Sequence, residues 1–343
     1  MDYKASGVDI EAGNEAVRRI RELARGTFTT GVLSEIGSFG GLFRPDLSGL
    51  VEPVLVSSAD GVGTKLKVAF RTGRHSTVGG DLVNHCVNDI LVQGAIPLFF
   101  LDYLATGRLS PEVAAHVVAG MASACSENGC ALLGGETAEM PGFYADGEYD
   151  LAGFIVGLVD RQRLVDGSRV KPGDRLIGLP SAGLHTNGYS LARHIVFETL
   201  GLTPESTPRA LDGSVGDVLL RPHRSYLGLV APVLADAPRM ISGMAHITGG
   251  GLTDNLPRVL PAGTAAEIDR SSWQLPPVFS FLQDQGGLSD AEAFRTFNMG
   301  IGMVVISAAA ETDALLSRFR RAGESGAVVI GCVTAGDGTV RYV

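Results

Sequence analysis

Val54-Leu-Val-Ser-Ser-Ala-Asp-Gly-Val-Gly-Thr-Lys-Leu66 opens as an apolar run and closes as a polar, glycine-rich segment. Val54–Val56 predicts a strand. A carboxylate, two glycines and a lysine then leave its end together. Asp60 offers the hard oxygen ligands that Mg²⁺ prefers. Gly61 and Gly63 allow backbone N–H groups to approach an anion closely. Lys65 adds a point charge for a phosphate, with Thr64 beside it. The pattern is not a Walker A loop, which needs four residues between its first glycine and a Gly-Lys-Ser/Thr ending. Two readings stand at this point: a loop for a phosphorylated ligand, or a tight turn with a solvated Asp and Lys.

Composition narrows the setting. The chain has 343 residues, of which 45% are hydrophobic and 19% charged, enough for a substantial core and for two domains. A formal net charge of −9 argues against a general nucleic-acid binder, which needs clustered positive charge. Lysine occurs only at Lys4, Lys65, Lys67 and Lys171, so its presence inside a glycine-rich segment is notable. Cys86, Cys125, Cys130 and Cys332 form no Cys-x-x-Cys pair and read as buried free thiols. Met1–Ile10 is polar, and no run approaches the roughly 18 apolar residues of a membrane helix. A soluble, cytoplasmic protein with no membrane partner is expected.

Outward from the opening stretch, helical spacing predicts helices over Glu11–Arg25, Leu82–Leu91 and Pro111–Glu127, the last with Ser110 as N-cap. Strands are predicted at Leu98–Leu104, Ala131–Leu133 and Leu151–Val159. Further on, strands are expected at Leu176–Leu179, Ile301–Ile306 and Val328–Val333, and helices near Tyr189–Leu200, Ser225–Ala235 and Glu311–Ala322. This mixture predicts an α/β (α+β) layer architecture. The turn-rich stretch Asp166–Asp174 marks the expected division into domains 1–169 and 170–343.

Three further segments carry chemistry. On a helix, Asp81, Asn84, His85 and Asn88 share one face, flanked by Asp89, while Val83, Cys86, Val87 and Ile90 form the core face. Short carboxylates, amides and a histidine suit a rigid metal or ligand surface, and Asp60, Asp81 and Asp89 are candidate Mg²⁺ ligands bridging ATP phosphates. Gly134-Gly-Glu-Thr-Ala-Glu139 places Glu136 and Thr137 in a polar turn after a strand, the position that ligands favour in open sheets. In the second half, His185 lies in a loop between a strand and a helix, and His246 precedes Gly249, Gly250 and Gly251, which can form an N–H nest around phosphate. His75, His116, His194 and His223 lack such neighbours and receive no role. Gly-x-Ser-x-Gly and His-Glu-x-x-His are absent.

Read together, these segments resemble the phosphoribosylformylglycinamidine cyclo-ligases, the AIR synthetases of the PurM family. The resemblance runs through Asp2–Ile10, Asp60–Lys65, Val87–Tyr103, Gly134–Pro141, His185–Leu191, His246–Gly251 and Phe297-Asn-Met-Gly300. Each motif alone is weak; their order over nearly the whole chain is specific. Thr186 and Met299 depart mildly from the Ser and Cys expected there. The resemblance implies ATP- and Mg²⁺-dependent closure of formylglycinamidine ribonucleotide (FGAM) to aminoimidazole ribonucleotide (AIR). Lys65 and the carboxylates would neutralise phosphate, and His185 and His246 would contact substrate or move protons. Two domains are implied, an N-terminal one that binds ATP and pairs its sheet in a homodimer, and a C-terminal one that binds substrate. Related ATP-using enzymes, such as FGAM synthetase, thiamine-monophosphate kinase and selenophosphate synthetase, are the rival readings, as is a nucleotide-binding regulator without turnover.

Overall fold

A computed structural model describes residues 10–37 and 39–343. The resembling segment Asp2–Ile10 therefore lies, but for Ile10, outside the described residues. The chain forms two compact units: residues up to Ile90 with Ile96–Asp160, and Leu91–Ala95 with Arg161–Val343. It passes to the second unit after Asp160, ahead of the expected division at 169/170. The Val165 N–H donates to the Gln93 carbonyl at 3.2 Å, which ties the intervening residues to the second unit.

The first unit runs α1 (Ile10–Arg25), β1 (Pro53–Gly61), α2 (Leu66–Thr72), α3 (Ser76–Leu91), β2 (Ile96–Thr106), α4 (Pro111–Glu127), β3 (Ala131–Glu139) and β4 (Tyr149–Asp160). Its sheet has the order β1-β4-β2-β3, with β4 antiparallel to both neighbours and β2 parallel to β3. Helix α4 starts as its sequence predicts: Ser110 Oγ accepts from the Val113 N–H at 3.4 Å, with Pro111 in the first turn. Leu82, Cys86 and Ile90 repeat every four residues along α3 and lie on glycines of β4. A Cβ on Gly153 would come within 2.9 Å of Leu82, and one on Gly157 within 2.5 Å of Ile90. Small residues on the strand thus let this helix sit close to the sheet.

Two expected turns are strand instead. Ser57–Gly61 continues β1, with Asp60 opposite Gly153, and Gly134–Glu139 continues β3, with Glu136 opposite Tyr103. Each is an edge of the sheet, and pairing with its one neighbour, β4 for the first and β2 for the second, holds as strand what composition alone assigned to loops.

The second unit holds β5 (Arg175–Pro180), α5 (Tyr189–Arg193), α6 (Val215–Leu219), α7 (Leu227–Asp236), β6 (Gly243–His246), α8 (Gly251–Asn255), β7 (Thr264–Ile268), α9 (Pro277–Gly286), α10 (Asp290–Thr296), β8 (Ile301–Ser307), α11 (Thr312–Arg321), β9 (Val328–Ala335) and β10 (Val340–Tyr342). Its sheet has the order β10-β7-β9-β5-β8-β6. Every residue of β8 is buried, as expected for a central strand covered on both faces. Helix α5 is shorter than predicted and continues as a π-helical turn over His194–Thr199. No described helix is long and apolar enough to cross a membrane.

Candidate functional site

In the first unit, residues 81–88 of α3 are all buried, so the polar face read from sequence meets protein rather than water along this stretch. Asp81, Asn88 and Lys65 are all 0% exposed. Lys65 Nζ lies 2.7 Å from Asp81 Oδ2. Burial pulls the Lys65 ammonium below its ordinary pKa, and Asp81 opposes that shift. Lys65 and Asp81, expected to meet a phosphate and a metal, are here paired with each other inside the unit. Asn84 is also engaged within the unit: Asn128 Nδ2 donates to its Oδ1 at 2.9 Å and to the Ala124 carbonyl at 2.7 Å, tying α3 to α4.

The open end of the cluster is different. Asp60 Oδ2 lies 2.8 Å from His85 Nε2, and Asp89 Oδ2 lies 3.6 Å from the same nitrogen. The Asp60 side chain is 45% exposed and that of Asp89 23%, while His85 is buried. The Gly61 N–H donates to Asp60 Oδ1 at 2.7 Å, and Ser58 Oγ donates to Asp89 Oδ2 at 3.0 Å. Burial works against a charge on His85, but Asp60, Asp89 and Asp81 outweigh it and raise its pKa. Two accessible carboxylates, oriented by a histidine, a hydroxyl and a backbone N–H, form an all-oxygen surface of the kind Mg²⁺ takes with few protein ligands. Of the three expected metal ligands, Asp60 and Asp89 fit this role. Gly63 turns the chain here at φ 64, and Thr64 follows it into the 3₁₀ turn that brings Lys65 inward.

Glu136 and Thr137 lie across the sheet from Asp60. Three strand spacings, about 14 Å, separate β1 from β3. They line a cavity of about 210 Å³ with Asp102 of β2, a residue assigned no role from sequence. Burial pushes the Asp102 carboxyl up to about 7.

In the second unit, the loop after β5 and the start of the loop after β6 converge. His185 takes φ 62, a left-handed backbone that non-glycine residues rarely adopt. Its ring stacks on His223 at 4.1 Å, and its Nε2 accepts from the Ala182 N–H at 3.2 Å. His223 Nε2 in turn lies 3.0 Å from His246 Nε2, and Thr186 Oγ1 lies 3.3 Å from His223 Nδ1. All three histidines are buried. Gly302 makes room for them: a Cβ there would lie 2.1 Å from the Tyr226 hydroxyl and 2.5 Å from His185 Cε1. Ring nitrogens of the three lie within 4.8 Å of one another, near enough to share a metal ion. The bond between two Nε2 atoms requires a proton on one of them, so a metal would have to displace it. As it stands, hydrogen bonds join Thr186, His223 and His246 in that order, with His185 stacked on His223.

Asn298, in the Phe297–Gly300 motif, fixes this loop. Its Nδ2 donates to the Gly183 carbonyl at 2.8 Å, and its Oδ1 accepts from Ser181 Oγ at 3.0 Å and the Gly300 N–H at 2.8 Å. Gly250 and Gly251 take φ 96 and φ 57, and a Cβ on Gly251 would lie 2.0 Å from the Phe294 carbonyl. Asn255 Nδ2 donates to the Gly249 carbonyl at 3.1 Å and the Gly251 carbonyl at 2.8 Å, holding the turn from within. His223 escaped sequence reading because Arg221-Pro-His-Arg224 has no glycine-rich turn; only folding sets it between His185 and His246. Asp102 escaped because it stands inside an apolar strand.

The sequence matches the family description "AIR synthase related protein, N-terminal domain" over residues 47–159 and the corresponding C-terminal domain over 171–343. A phosphoribosylformylglycinamidine cyclo-ligase of Trichlorobacter lovleyi is 56% identical over 94% of this chain and 92% of its own. One from Geotalea daltonii is 52% identical over 100% of this chain and 98% of its own. The fold is also that of a thiamine-monophosphate kinase from Stenotrophomonas maltophilia, at TM-score 0.68 and 20% identity over 96% of this chain and 95% of that one. The hydrogenase maturation protein HypE in complex with ATP matches at TM-score 0.66 and 18% identity, over 95% of this chain and 90% of its own. Identity above half along nearly the full length, with both domain matches, decides among these relatives: the chain belongs to the phosphoribosylformylglycinamidine cyclo-ligase family.

Proposed function

We propose that this protein closes the imidazole ring of AIR from FGAM at the expense of ATP, releasing ADP and phosphate, as a cytoplasmic ligase of purine biosynthesis. The observation that carries the reading is the 52–56% identity to cyclo-ligases over 92–100% of the chain. The chemistry asks for two things. The formyl oxygen of FGAM is a poor leaving group, so it takes the γ-phosphoryl group of ATP. The amidine nitrogen then attacks the formyl carbon, the C–O bond breaks, phosphate leaves, and the nitrogen gives up its proton.

Phosphoryl transfer needs the spread charge of the phosphates neutralised and held in line. Asp60 and Asp89 would hold Mg²⁺, which supplies that neutralisation when bound. Gly61, Gly63 and Thr64 shape the backbone beside them. The Lys65–Asp81 pair underlies this surface and fixes α3, and Asn88 belongs to the same helix. In the second unit, the His185, His223 and His246 cluster offers ring nitrogens that could take the amidine proton, and Gly249–Gly251 is suited to an anionic substrate group. The first unit would thus serve nucleotide and dimerisation, and the second would serve substrate.

The homodimer is supported by the outer face of the first sheet. Leu55 is 64% exposed and Phe154 45%, with Leu101 and Tyr103 beside Phe154 and Ala152 in the β-ladder. Such an apolar sheet face marks an interaction surface.

Incubation of purified protein with ATP, Mg²⁺ and FGAM should yield ADP and AIR in equal amounts. ADP formation with thiamine monophosphate but not with FGAM would show a kinase instead. Nucleotide binding without turnover would show a regulator.

A further inference from the structure

His223 stands at the centre of the histidine cluster, 0% exposed. Its ring lies on the face of His185, at 4.1 Å between centroids and 22° between planes. Its two nitrogens face different partners. Nε2 lies 3.0 Å from His246 Nε2, and Nδ1 lies 3.3 Å from Thr186 Oγ1. A ring held in this way has a fixed place, and what can still change is where its protons sit.

Two neutral tautomers satisfy the bond between His223 and His246. In the first, His223 Nε2 carries the proton and donates to His246, which keeps its own proton on Nδ1. In the second, His246 Nε2 carries the proton and donates to His223, whose own proton sits on Nδ1. His246 Nδ1 then holds a lone pair and can accept. The hydrogen bond at one imidazole nitrogen sets the state of the other, so the group at His223 Nδ1 decides between the two. That group is a hydroxyl, which donates to a lone pair or accepts from an N–H. Thr186 Oγ1 also accepts from Asn187 Nδ2 at 3.4 Å, which leaves its own proton and a second lone pair to serve His223. A backbone carbonyl or N–H in its place would have fixed one tautomer.

We propose that His223 is the positioning residue for His246, and that together with Thr186 it lets His246 Nδ1 act as a base. This rests on the cyclisation reading above, in which the amidine nitrogen gives up a proton. The step balances within three residues. His246 Nδ1 takes the proton, His246 Nε2 passes its own to His223 Nε2, and His223 donates its Nδ1–H to Thr186 Oγ1. His246 is neutral before and after, and the added charge rests on His223. His185 Nε2 accepts the Ala182 N–H at 3.2 Å, so it holds a lone pair and its ring is neutral. The charge on His223 therefore lies against an uncharged aromatic face, which favours it. Burial disfavours it, so the proton is held only until the base is regenerated.

Thr186→Val removes only the hydroxyl, so a proton on His223 Nδ1 loses that acceptor and Nε2 becomes the better place for it. Nitrogen-15 spectra of the histidines, taken on the full chain without substrate, report which ring nitrogens are protonated. Thr186→Val should move His223 Nε2 toward the protonated form and His246 Nε2 toward the lone-pair form, and Thr186→Ser should return both. With ATP, Mg²⁺ and FGAM, Thr186→Val should lower kcat by about 10²-fold at unchanged KM for FGAM, the low end of what general acid–base catalysis contributes, and Thr186→Ser should restore it. His223→Gln keeps an amide for His246 but cannot pass a proton, and should cost as much. The two changes together should cost no more than the larger alone, because both break one relay. Should His223→Gln fail to fold, the Val and Ser variants of Thr186 decide the matter. Histidine resonances unmoved by Thr186→Val, a loss that Thr186→Ser does not restore, or losses that multiply in the double variant overturn the assignment. The expected tautomer shift in a protein that cyclises no FGAM sustains the control of His246 and refutes the reaction. Cyclisation by Thr186→Val at the wild-type kcat does the reverse.

Discussion

Lys65 and Asp81 show how burial changes the meaning of a residue. An exposed lysine beside two glycines is a phosphate donor; a lysine 0% exposed and 2.7 Å from a carboxylate 0% exposed is half of a structural ion pair. Removing one member of such a pair leaves the other buried and uncompensated, at a cost of about 3–5 kcal/mol, whereas replacing both with apolar residues is often neutral. Lys65→Met should therefore lower stability in urea by about that amount, and Lys65→Met combined with Asp81→Leu should recover most of it. A single variant as stable as wild type would show that the pair is not closed in solution. If the double variant is stable but inactive, the charges also matter to the reaction.

At the scale of elements, the position of α3 decides the carboxylate surface, because His85 and Asp89 project from it toward Asp60. Helix α3 is held against α4 by glycine. A Cβ on Gly79 would lie 2.0 Å from the Val117 carbonyl, and one on Gly120 would lie 1.8 Å from the Ser76 carbonyl. Backbone cannot yield as a side-chain tip can. Gly120→Ala should thus cost about 1–3 kcal/mol by overpacking, read from urea unfolding, and should weaken ADP binding as α3 shifts. Gly13→Ala on α1 is the matched control: nothing lies within 4 Å of its added Cβ, and alanine is the better helix former by up to about 1 kcal/mol. A Gly120 variant as stable as the Gly13 variant would contradict the close approach.

At the scale of the whole molecule, the first sheet has one face under helices and the other exposing Leu55 and Phe154. Placing charges there should separate the proposed dimer without disturbing the fold. Leu55→Glu with Phe154→Glu is expected to change the sedimenting species from two chains to one, with the far-ultraviolet circular dichroism unchanged. A wild-type protein already sedimenting as one chain would remove the dimer from the mechanism.

The sequence by itself determined the family and most of the elements. Strand and helix periodicities, the Ser110 cap and the ordered motifs are local or collinear features, and the chain carries them before it folds. It misread Ser57–Gly61 and Gly134–Glu139 as turns, because polar, glycine-rich composition does not reveal that a neighbouring strand will pair with it. It left β6, β7, β10 and the short helices α8 to α10 unassigned, where the periodic signal spans too few residues. Only tertiary structure separated Asp60 and Asp89, accessible on one surface, from Lys65 and Asp81, closed on each other. It alone joined His223 to His185 and His246, and faced Asp102 toward a cavity. Which polar side chains meet water, one another or a ligand is set by long-range packing, and spacing along the chain carries no record of it.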